Sequence, residues 1–421
     1  MKQFNNITIT NLLFFLFLTI AFAQQSSENL LYNKTIKVGA ERTDLYLPLL
    51  KGKSIAIIAN QSSLIGNTHL VDSLLAIGVD IRKVFSPEHG FRGDADAGEH
   101  VKDYQDKKTG LPVISLYGKN IKPKSSELKD IDIMVFDIQD VGVRFYTYIS
   151  TMHYSMESCA ENNVQFLVLD RPNPNGFYVD GPVMEEKYRS FSGLHPVPVI
   201  HGMTMAEYAR MINGQGWLKN SVKCELFHIL CEGYTHKDHY QLPVKPSPNL
   251  PNMVSVYLYP TLGLFEGTVI SVGRGTDMPF QVVGHPDMQK TNPPSSNEVN
   301  TSRTDGREGM YTFTPRSIPG ASKNPPYKGV KCYGYDLSMF GKVFIKNYKK
   351  IYLYWLTSAY ESIPDKENFF NDYFDNLTGS STMRQQIIDG VSEMEIRKTW
   401  QKDLEKFKVI RKGYLLYPDF E

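Results

Sequence analysis

The chain has 421 residues, of which 41% are hydrophobic, 12% aromatic and 22% charged. That is ample material for a large core and, at about 100–200 residues per domain, for two domains. Its 46 Lys and Arg are balanced by 45 Asp and Glu, which argues against a nucleic-acid binder, whose phosphate contacts call for a basic surplus.

At the N-terminus Lys2 precedes an apolar stretch from Leu12 to Phe22, and Ala21-Phe22-Ala23 stands before Gln24. The pattern reads as a secretory signal over residues 1–23, cleaved after Ala23. The apolar stretch falls short of the ~20 residues of a spanning helix, and no later stretch is long and apolar enough to cross a membrane. The expectation is an exported, periplasmic protein. Of the four cysteines, Cys159, Cys224, Cys231 and Cys332, an even count permits disulfides in that compartment but is too sparse for a disulfide scaffold. No CxxC occurs, so a zinc ribbon or thioredoxin-like site is excluded.

From Ser54 to about Pro172, short β-rich runs alternate with helical patterns. Strands are expected at Ser54–Asn60, Ile81–Pro87, Pro112–Gly118, Asp132–Gln139 and Gln165–Arg171. Helices are expected at His69–Gly78 and Thr147–Asn163. Strands apolar throughout and separated by helices imply a parallel sheet covered on both faces, an α/β, Rossmann-like doubly wound layer. A further strand is expected at Val197–Ile200, followed by a helix opened by the capping box Thr204 to Glu207. The prolines of Lys245–Pro251 break any regular element and place the domain boundary, giving a first domain over 24–245 and a smaller C-terminal α/β domain over 246–421. Long loops are expected up to about Gly334, strands at Tyr335–Lys346 and Ile351–Leu356, and helices at Phe369–Phe374, Ser380–Gly390 and Ser392–Phe407. Trp355, Trp400 and Cys332 read as core.

The familiar nucleotide and nucleophile signatures are missing. Gly214-Gln-Gly216 follows a helix rather than a strand, and no phosphate-loop, GxSxG or HExxH pattern occurs. Lys108-Thr109-Gly110, Ser126-Glu-Leu-Lys129 and Ser295-Ser296-Asn297 contain the three elements of a penicillin-recognising serine enzyme, in the wrong order.

Ligands of open α/β sheets bind outside the carboxyl ends of the strands, and those ends are polar here. They carry Asn60-Gln61, then Glu88-His89 and Arg92, Asp137 to Asp140, Asp170-Arg171 with Asn173, and His201. Each has a plain explanation as a cap or turn residue, but five successive polar ends favour a polar ligand site. The rim lacks a nucleophilic Ser or Cys beside a base. Carboxylates among amides, Tyr146 and Tyr148 are instead the equipment of glycoside hydrolysis. Glu88, between Pro87 and a His-Gly pair, is the strongest single carboxylate; its alternative role is to pair with Arg92. Glu88, His89, Asp94, Asp96, Glu99 and His100 crowd together, but their spacing matches no metal loop, so no metal and no cofactor is expected.

The stretches SPEHGFRGDADAGE, FDIQDVGVRFYTYI, LDRPNPNG, HGMTMAEYARMING and FEGTVISVGRGTDMPF, with the closing RQQIIDGVSEMEIRKTWQKDLEKFKVIRKGYLLYP, resemble the exo-β-N-acetylmuramidases of NamZ type. These form glycoside hydrolase family one hundred and seventy-one, formerly a domain of unknown function. The resemblance runs from about Val38 to Pro418. It implies a Rossmann-like catalytic domain, an auxiliary C-terminal domain with the site in the cleft between them, and release of N-acetylmuramic acid from non-reducing ends of peptidoglycan glycan fragments.

Carried over by motif, the glutamate of PEHG is Glu88, the leading catalytic carboxylate. Asp140 and Glu266 are candidates for the second group; their alternative roles are to anchor Arg144 and to hold a loop, respectively, while the substrate's own 2-acetamido group is a third route. Muramic acid carries a lactyl carboxylate, which suits a fixed guanidinium. Arg92, Arg144, Arg171 and Arg274 are the candidates, the last between two glycines. Asn60, His89, Tyr146, Asp170, Asn173 and His201 complete the expected substrate-binding set. A non-catalytic muropeptide-binding protein is the rival reading.

Overall fold

A computed structural model describes residues 35–93, 102–288, 310–343 and 345–421. The expected signal over residues 1–23, the crowded positions Asp94, Asp96, Glu99 and His100, and Ser295–Asn297 lie outside the described residues.

Seven strands form the principal sheet: β1 Ile55–Ala59, β2 Ile81–Ser86, β3 Tyr104–Gln105, β4 Pro112–Ser115, β5 Ile133–Asp137, β6 Gln165–Leu169 and β7 Leu226–Ile229. Their order is β3-β4-β2-β1-β5-β6-β7. Every pairing is parallel except that of the short edge strand β3 with β4. Apart from β3, this is the order of the doubly wound dinucleotide-binding fold, with its topological switch between β1 and β5. Every residue of β1 and β5 is buried, as expected of central parallel strands covered on both sides. The two-residue side-chain period sorts them. Ile55, Ile57, Ala59 and Val135 join Tyr46 and Leu50 of α1 (Thr43–Leu50) and Leu70, Val71 and Leu74 of α2 (Leu70–Ala76) on one face. Ala56, Ile58, Met134 and Phe136 join Met152, Met156 and Cys159 of α3 (Tyr148–Asn162) on the other.

Thr204 and Glu207 close the expected capping box on α4 (Met205–Gln215), which ends at the left-handed Gly216. The second half contributes α5 (Met253–Leu262) and a three-stranded antiparallel sheet of β8 Val282–His285, β9 Tyr311–Phe313 and β10 Cys332–Asp336, ordered β8-β10-β9. It continues with α6 (Tyr354–Ser362), α7 (Tyr373–Thr378), α8 (Thr382–Ile388) and α9 (Glu393–Lys412). One hydrophobic cluster extends from the α3 face of the principal sheet to Trp355, Phe369, Trp400 and Phe407, so the two halves share a core. The buried Arg411 of α9 adds a polar tie by donating to the Gly202 carbonyl at 2.7 and 3.1 Å.

Several expectations need correction. Val197–Ile200 is no strand: Ile200 makes only isolated bridges to Val143 and Asp180. The sheet is completed instead by β7, whose mixed burial gives it a weak pattern. Helix α5 lies within the region read as loops, capped by Asn252 despite Pro260 in its last turn. Tyr335–Lys346 is strand only to Asp336 and then turns into a helix at Ser338–Val343. Ile351–Leu356 leads into α6, where Trp355, Leu356 and Ala359 bury a helical face. The helix expected at Phe369–Phe374 begins later, as α7. All four cysteines are buried free thiols, so the chain uses no disulfide. No helix among the described residues is long and apolar enough to cross a membrane.

Candidate active site

A cavity of about 600 Å³ opens where the turn after β2 and the start of α3 meet loops of the second half. Glu88, Thr147, Tyr259, Glu266, Arg274 and Tyr373 line it, with Tyr117 beside Glu88 and the segment from Ala321 to Asn324 as a further wall.

Glu88 follows β2 on a tight turn in which His89 and Gly90 both have positive φ, 71° and 77°. The turn separates neighbouring side chains: Glu88 lines the cavity, whereas His89 is buried and bonds Ser247 Oγ through Nε2 at 3.2 Å. The Thr147 hydroxyl donates to Glu88 Oε2 at 3.0 Å. The Tyr117 phenol also donates to this carboxylate; burial and then the Glu88 charge push its pKa up.

Glu266 stands on a short 3-10 turn, Gly263–Gly267, at the end of α5. Nε and Nη2 of Arg274 approach its Oε1 at 2.8 and 2.7 Å. Burial works against the Arg274 charge, but Glu266 outweighs it and holds the guanidinium above its ordinary pKa. The guanidinium also lies 5.0 Å over the Phe280 ring, a cation–π contact that fixes its plane. The flanking Gly273 and Gly275 have positive φ, and a Cβ on either would strike protein atoms, Val282 and Met278 in one case and Arg316 and Pro325 in the other. They permit a close-packed turn rather than the ligand approach expected of them. Burial first, then Glu266 and Glu88 together, raise the phenols of Tyr259 and Tyr373. Both carboxylates therefore act on the same two rings. Lys323 adds an exposed cation to the wall.

The switch point between β1 and β5, where a doubly wound sheet would take a nucleotide, is covered by the chain itself. Pro246 O accepts from Tyr146 Oη at 2.9 Å, Tyr148 Oη at 3.4 Å and Gln61 Nε2 at 3.0 Å, and Asn249 Nδ2 donates to Ala321 O at 2.8 Å. The proline-rich segment Lys245–Pro251 thus roofs the rim, and the cavity lies to one side, above β2.

Most of the expected substrate-binding residues are committed elsewhere. Arg92 pairs with Asp72 and Asp106 at 3.1 and 2.9 Å, not with Glu88. Arg144 donates to the carbonyls of Pro182, Val197 and Leu377 at 2.9, 2.8 and 2.7 Å, so Asp140 does not anchor it. Asp140 is buried off the cavity; its Oδ1 accepts from Gly142 N at 2.7 Å, and burial raises its pKa to about 7. Arg171 is buried against Asp137 at 2.6 and 3.0 Å. Asp170 accepts from Tyr417 Oη at 2.6 Å and Ala206 N at 3.0 Å, and burial raises it to about 6. Asn60 caps the turn after β1, accepting from Ser62 N at 2.9 Å; Asn173 ties Asn175 N to Met203 O. His201 accepts from Met203 N at 3.2 Å, and burial lowers its pKa to about 3.

Of the expected set, the cavity gathers Glu88, Glu266 and Arg274. Sequence reasoning missed Tyr117, Thr147, Tyr259, Lys323 and Tyr373. Tyr117, just beyond β4, obeys the same strand-end rule that selected Glu88; Thr147 and Tyr373 stand at helix starts, Tyr259 towards the end of α5 and Lys323 in a loop, none with a pattern of its own. Among the described residues no three His, Cys, Asp or Glu side chains are arranged to hold a metal.

Residues 55–254 match the family model described as exo-beta-N-acetylmuramidase NamZ, N-terminal, and residues 257–417 match its C-terminal counterpart. The chain is 39% identical over 426 aligned positions to the peptidoglycan beta-N-acetylmuramidase NamZ of Bacillus subtilis (strain 168), covering 97% of this chain and 98% of that protein. Two crystal structures of DUF1343 family proteins from Bacteroides fragilis NCTC 9343 are similar. One is 46% identical with a TM-score of 0.81, covering 91% of this chain and 99% of the other. The second is 30% identical with a TM-score of 0.74, covering 91% and 100%.

Proposed function

The chain belongs to the exo-beta-N-acetylmuramidase NamZ family, and on that premise we propose that it is an exo-acting β-N-acetylmuramidase, releasing N-acetylmuramic acid from the non-reducing ends of peptidoglycan glycan fragments. One observation carries the reading to this chain's own residues: a single cavity is lined by two carboxylates, Glu88 from the first half and Glu266 from the second, together with Arg274 and Lys323. Glycosidic cleavage needs a proton for the leaving oxygen and a second group on the attacking side. Glu88 supplies the proton, its rotamer set by Thr147 and Tyr117. Glu266, with both Arg274 contacts on Oε1, accepts the proton of the attacking water or 2-acetamido group. Lys323 and Arg274 receive the lactyl carboxylate, which distinguishes muramic acid from glucosamine.

The reading divides the chain into a catalytic first domain to residue 245 and an auxiliary second domain from 246. It places the enzyme outside the cytoplasm: Lys2, the apolar Leu12–Phe22 and Ala21-Phe22-Ala23 support export to the periplasm, where cell-wall fragments arise. Purified protein should release muramic acid from a muramyl–glucosamine disaccharide or an aryl β-muramide, and Glu88→Gln should abolish turnover while retaining affinity for the sugar. Failure of the unaltered protein to release muramic acid would overturn the proposal in favour of a binding protein.

A further inference from the structure

A second cavity, of about 540 Å³, opens on the first half beside α3, with Tyr154, Arg189 and Trp217 in its wall. Three partly exposed rings connect it to the active-site cavity. Tyr117 lines the active-site cavity, Phe191 precedes the lining residue Ser192, and Tyr154 lines the second cavity. The Tyr117 and Phe191 rings have centroids 6.2 Å apart at 64°, and Phe191 stacks on Tyr154 at 6.3 Å and 7°. Each step is comparable to the length of one pyranose ring.

An enzyme that removes a terminal sugar holds that sugar in its pocket, and the rest of the glycan must leave across the surface. Partly exposed aromatic rings suit such a chain, because a pyranose can pack its C–H face on a ring while its hydroxyls stay in water. Arg189 gives the strip a charged end. Its charge reaches Tyr154, countering the rise that burial causes in the phenol. Its pairing with Glu186 is long, 3.3 Å, and both side chains are exposed, 41% and 74%; such a pair is weak and readily exchanged for another carboxylate. In the cell-wall glycan every second sugar is muramic acid. With one muramic residue in the pocket and glucosamine beside Tyr117 and Phe191, the next lactyl carboxylate arrives at Tyr154 and Arg189.

We propose that Tyr117, Phe191, Tyr154 and Arg189 form an extended glycan-binding track that holds the downstream sugars of the same substrate chain and receives the second muramic carboxylate at Arg189. The inference rests on the muramidase reading above. It is tested by comparing three substrates, an aryl β-muramide, the muramyl–glucosamine disaccharide and the tetrasaccharide of two such units, with the unaltered protein, Tyr154→Ala and Arg189→Ala. The unaltered enzyme should show a KM for the tetrasaccharide at least fivefold below that for the disaccharide. Both variants should erase that advantage and keep aryl-muramide kinetics within twofold, which also reports intact folding. If Tyr154→Ala loses aryl-muramide activity through misfolding, the exposed Arg189→Ala decides the matter. Equal KM values for the two natural substrates in the unaltered enzyme, or an advantage preserved in a folded variant, would overturn the track while leaving the muramidase reading intact. No release from any substrate would instead overturn the muramidase reading on which the track depends.

Discussion

Thr147 donates its hydroxyl to Oε2 of Glu88 at 3.0 Å, joining residues 59 positions apart in the chain. The donor stands at the N-cap of α3 and the acceptor in the left-handed turn after β2, so two rigid elements of the sheet layer fix the carboxyl group. A proton donor must be aimed at the leaving oxygen, and misdirection costs rate more than binding. Thr147→Val should therefore lower kcat by about tenfold, equivalent to ~1.4 kcal/mol of barrier, with KM within about twofold. Thr147→Ser, which keeps the hydroxyl, should restore most of kcat. Steady-state kinetics on an aryl β-muramide would measure this, and equal losses in the two variants would show that the hydroxyl plays no positioning part.

Lys323 gives a complementary test, because it bears on which sugar is accepted. An exposed ammonium at the cavity wall can meet a lactyl carboxylate but has nothing comparable to meet on glucosamine. Lys323→Ala should raise KM for an aryl β-muramide about tenfold, roughly 1.4 kcal/mol of binding, and leave kcat nearly unchanged. Weak binding of the corresponding glucosaminide should not respond. A fall in kcat with unchanged KM would remove Lys323 from substrate recognition.

The sheet was the legible part of this fold. β1 is apolar throughout, and β5 and β6 are apolar but for Asp137 and Gln165 at their ends, because parallel central strands are buried on both faces, and helices between them leave a 3.6-residue pattern. In the second half, short elements pack into a shared core, and runs such as Ile351–Leu356 carry no period long enough to separate strand from helix. The site was legible in part for a related reason. Glu88 and Glu266 stand in turns at element ends, where polar residues of a chain without a core role are visible. The arginines misled because a buried guanidinium and a ligand-binding one look alike in sequence. In the fold Arg92 has two aspartates, Arg171 has Asp137, and Arg144 has three carbonyls.

Asp140 offers a test by pH. Burial raises its carboxyl from the ordinary 3.8 to about 7, so the folded state binds this proton more tightly than the unfolded chain. Its contribution to stability is accordingly full below about pH 4 and is lost as pH rises to about 7. A shift of this size corresponds to roughly 4 kcal/mol at most. Asp140→Asn cannot ionise, so its stability relative to the parent protein should increase from pH 4 to pH 8; Asp170, common to both proteins, cancels in the difference. Urea unfolding at a series of pH values would reveal the trend. Because Asp140 lies off the cavity, the variant should also keep kcat within about threefold, and a loss of a hundredfold or more would return Asp140 to the catalytic group.

Arg144 has a structural duty that reaches the site from a distance. It is buried, its hydrogen-bond partners among the described residues are all carbonyls, and burial lowers its pKa to about 10. Its charge is compensated by carbonyl dipoles, two from the first half, Pro182 and Val197, and one from Leu377 in the last turn of α7. Carbonyls at a helix C-terminus lack partners within the helix and favour a cation. The same helix begins with Tyr373, part of the cavity wall, so the guanidinium fastens one side of the site to the sheet layer. Arg144→Met fills similar volume but leaves three acceptors without a donor, and a buried unsatisfied group costs about 1–3 kcal/mol. The variant should lose on the order of 3 kcal/mol or more in urea unfolding, and at temperatures where it remains folded its KM should rise more than its kcat falls. An unchanged urea midpoint would mean that α7 is held by its apolar contacts alone.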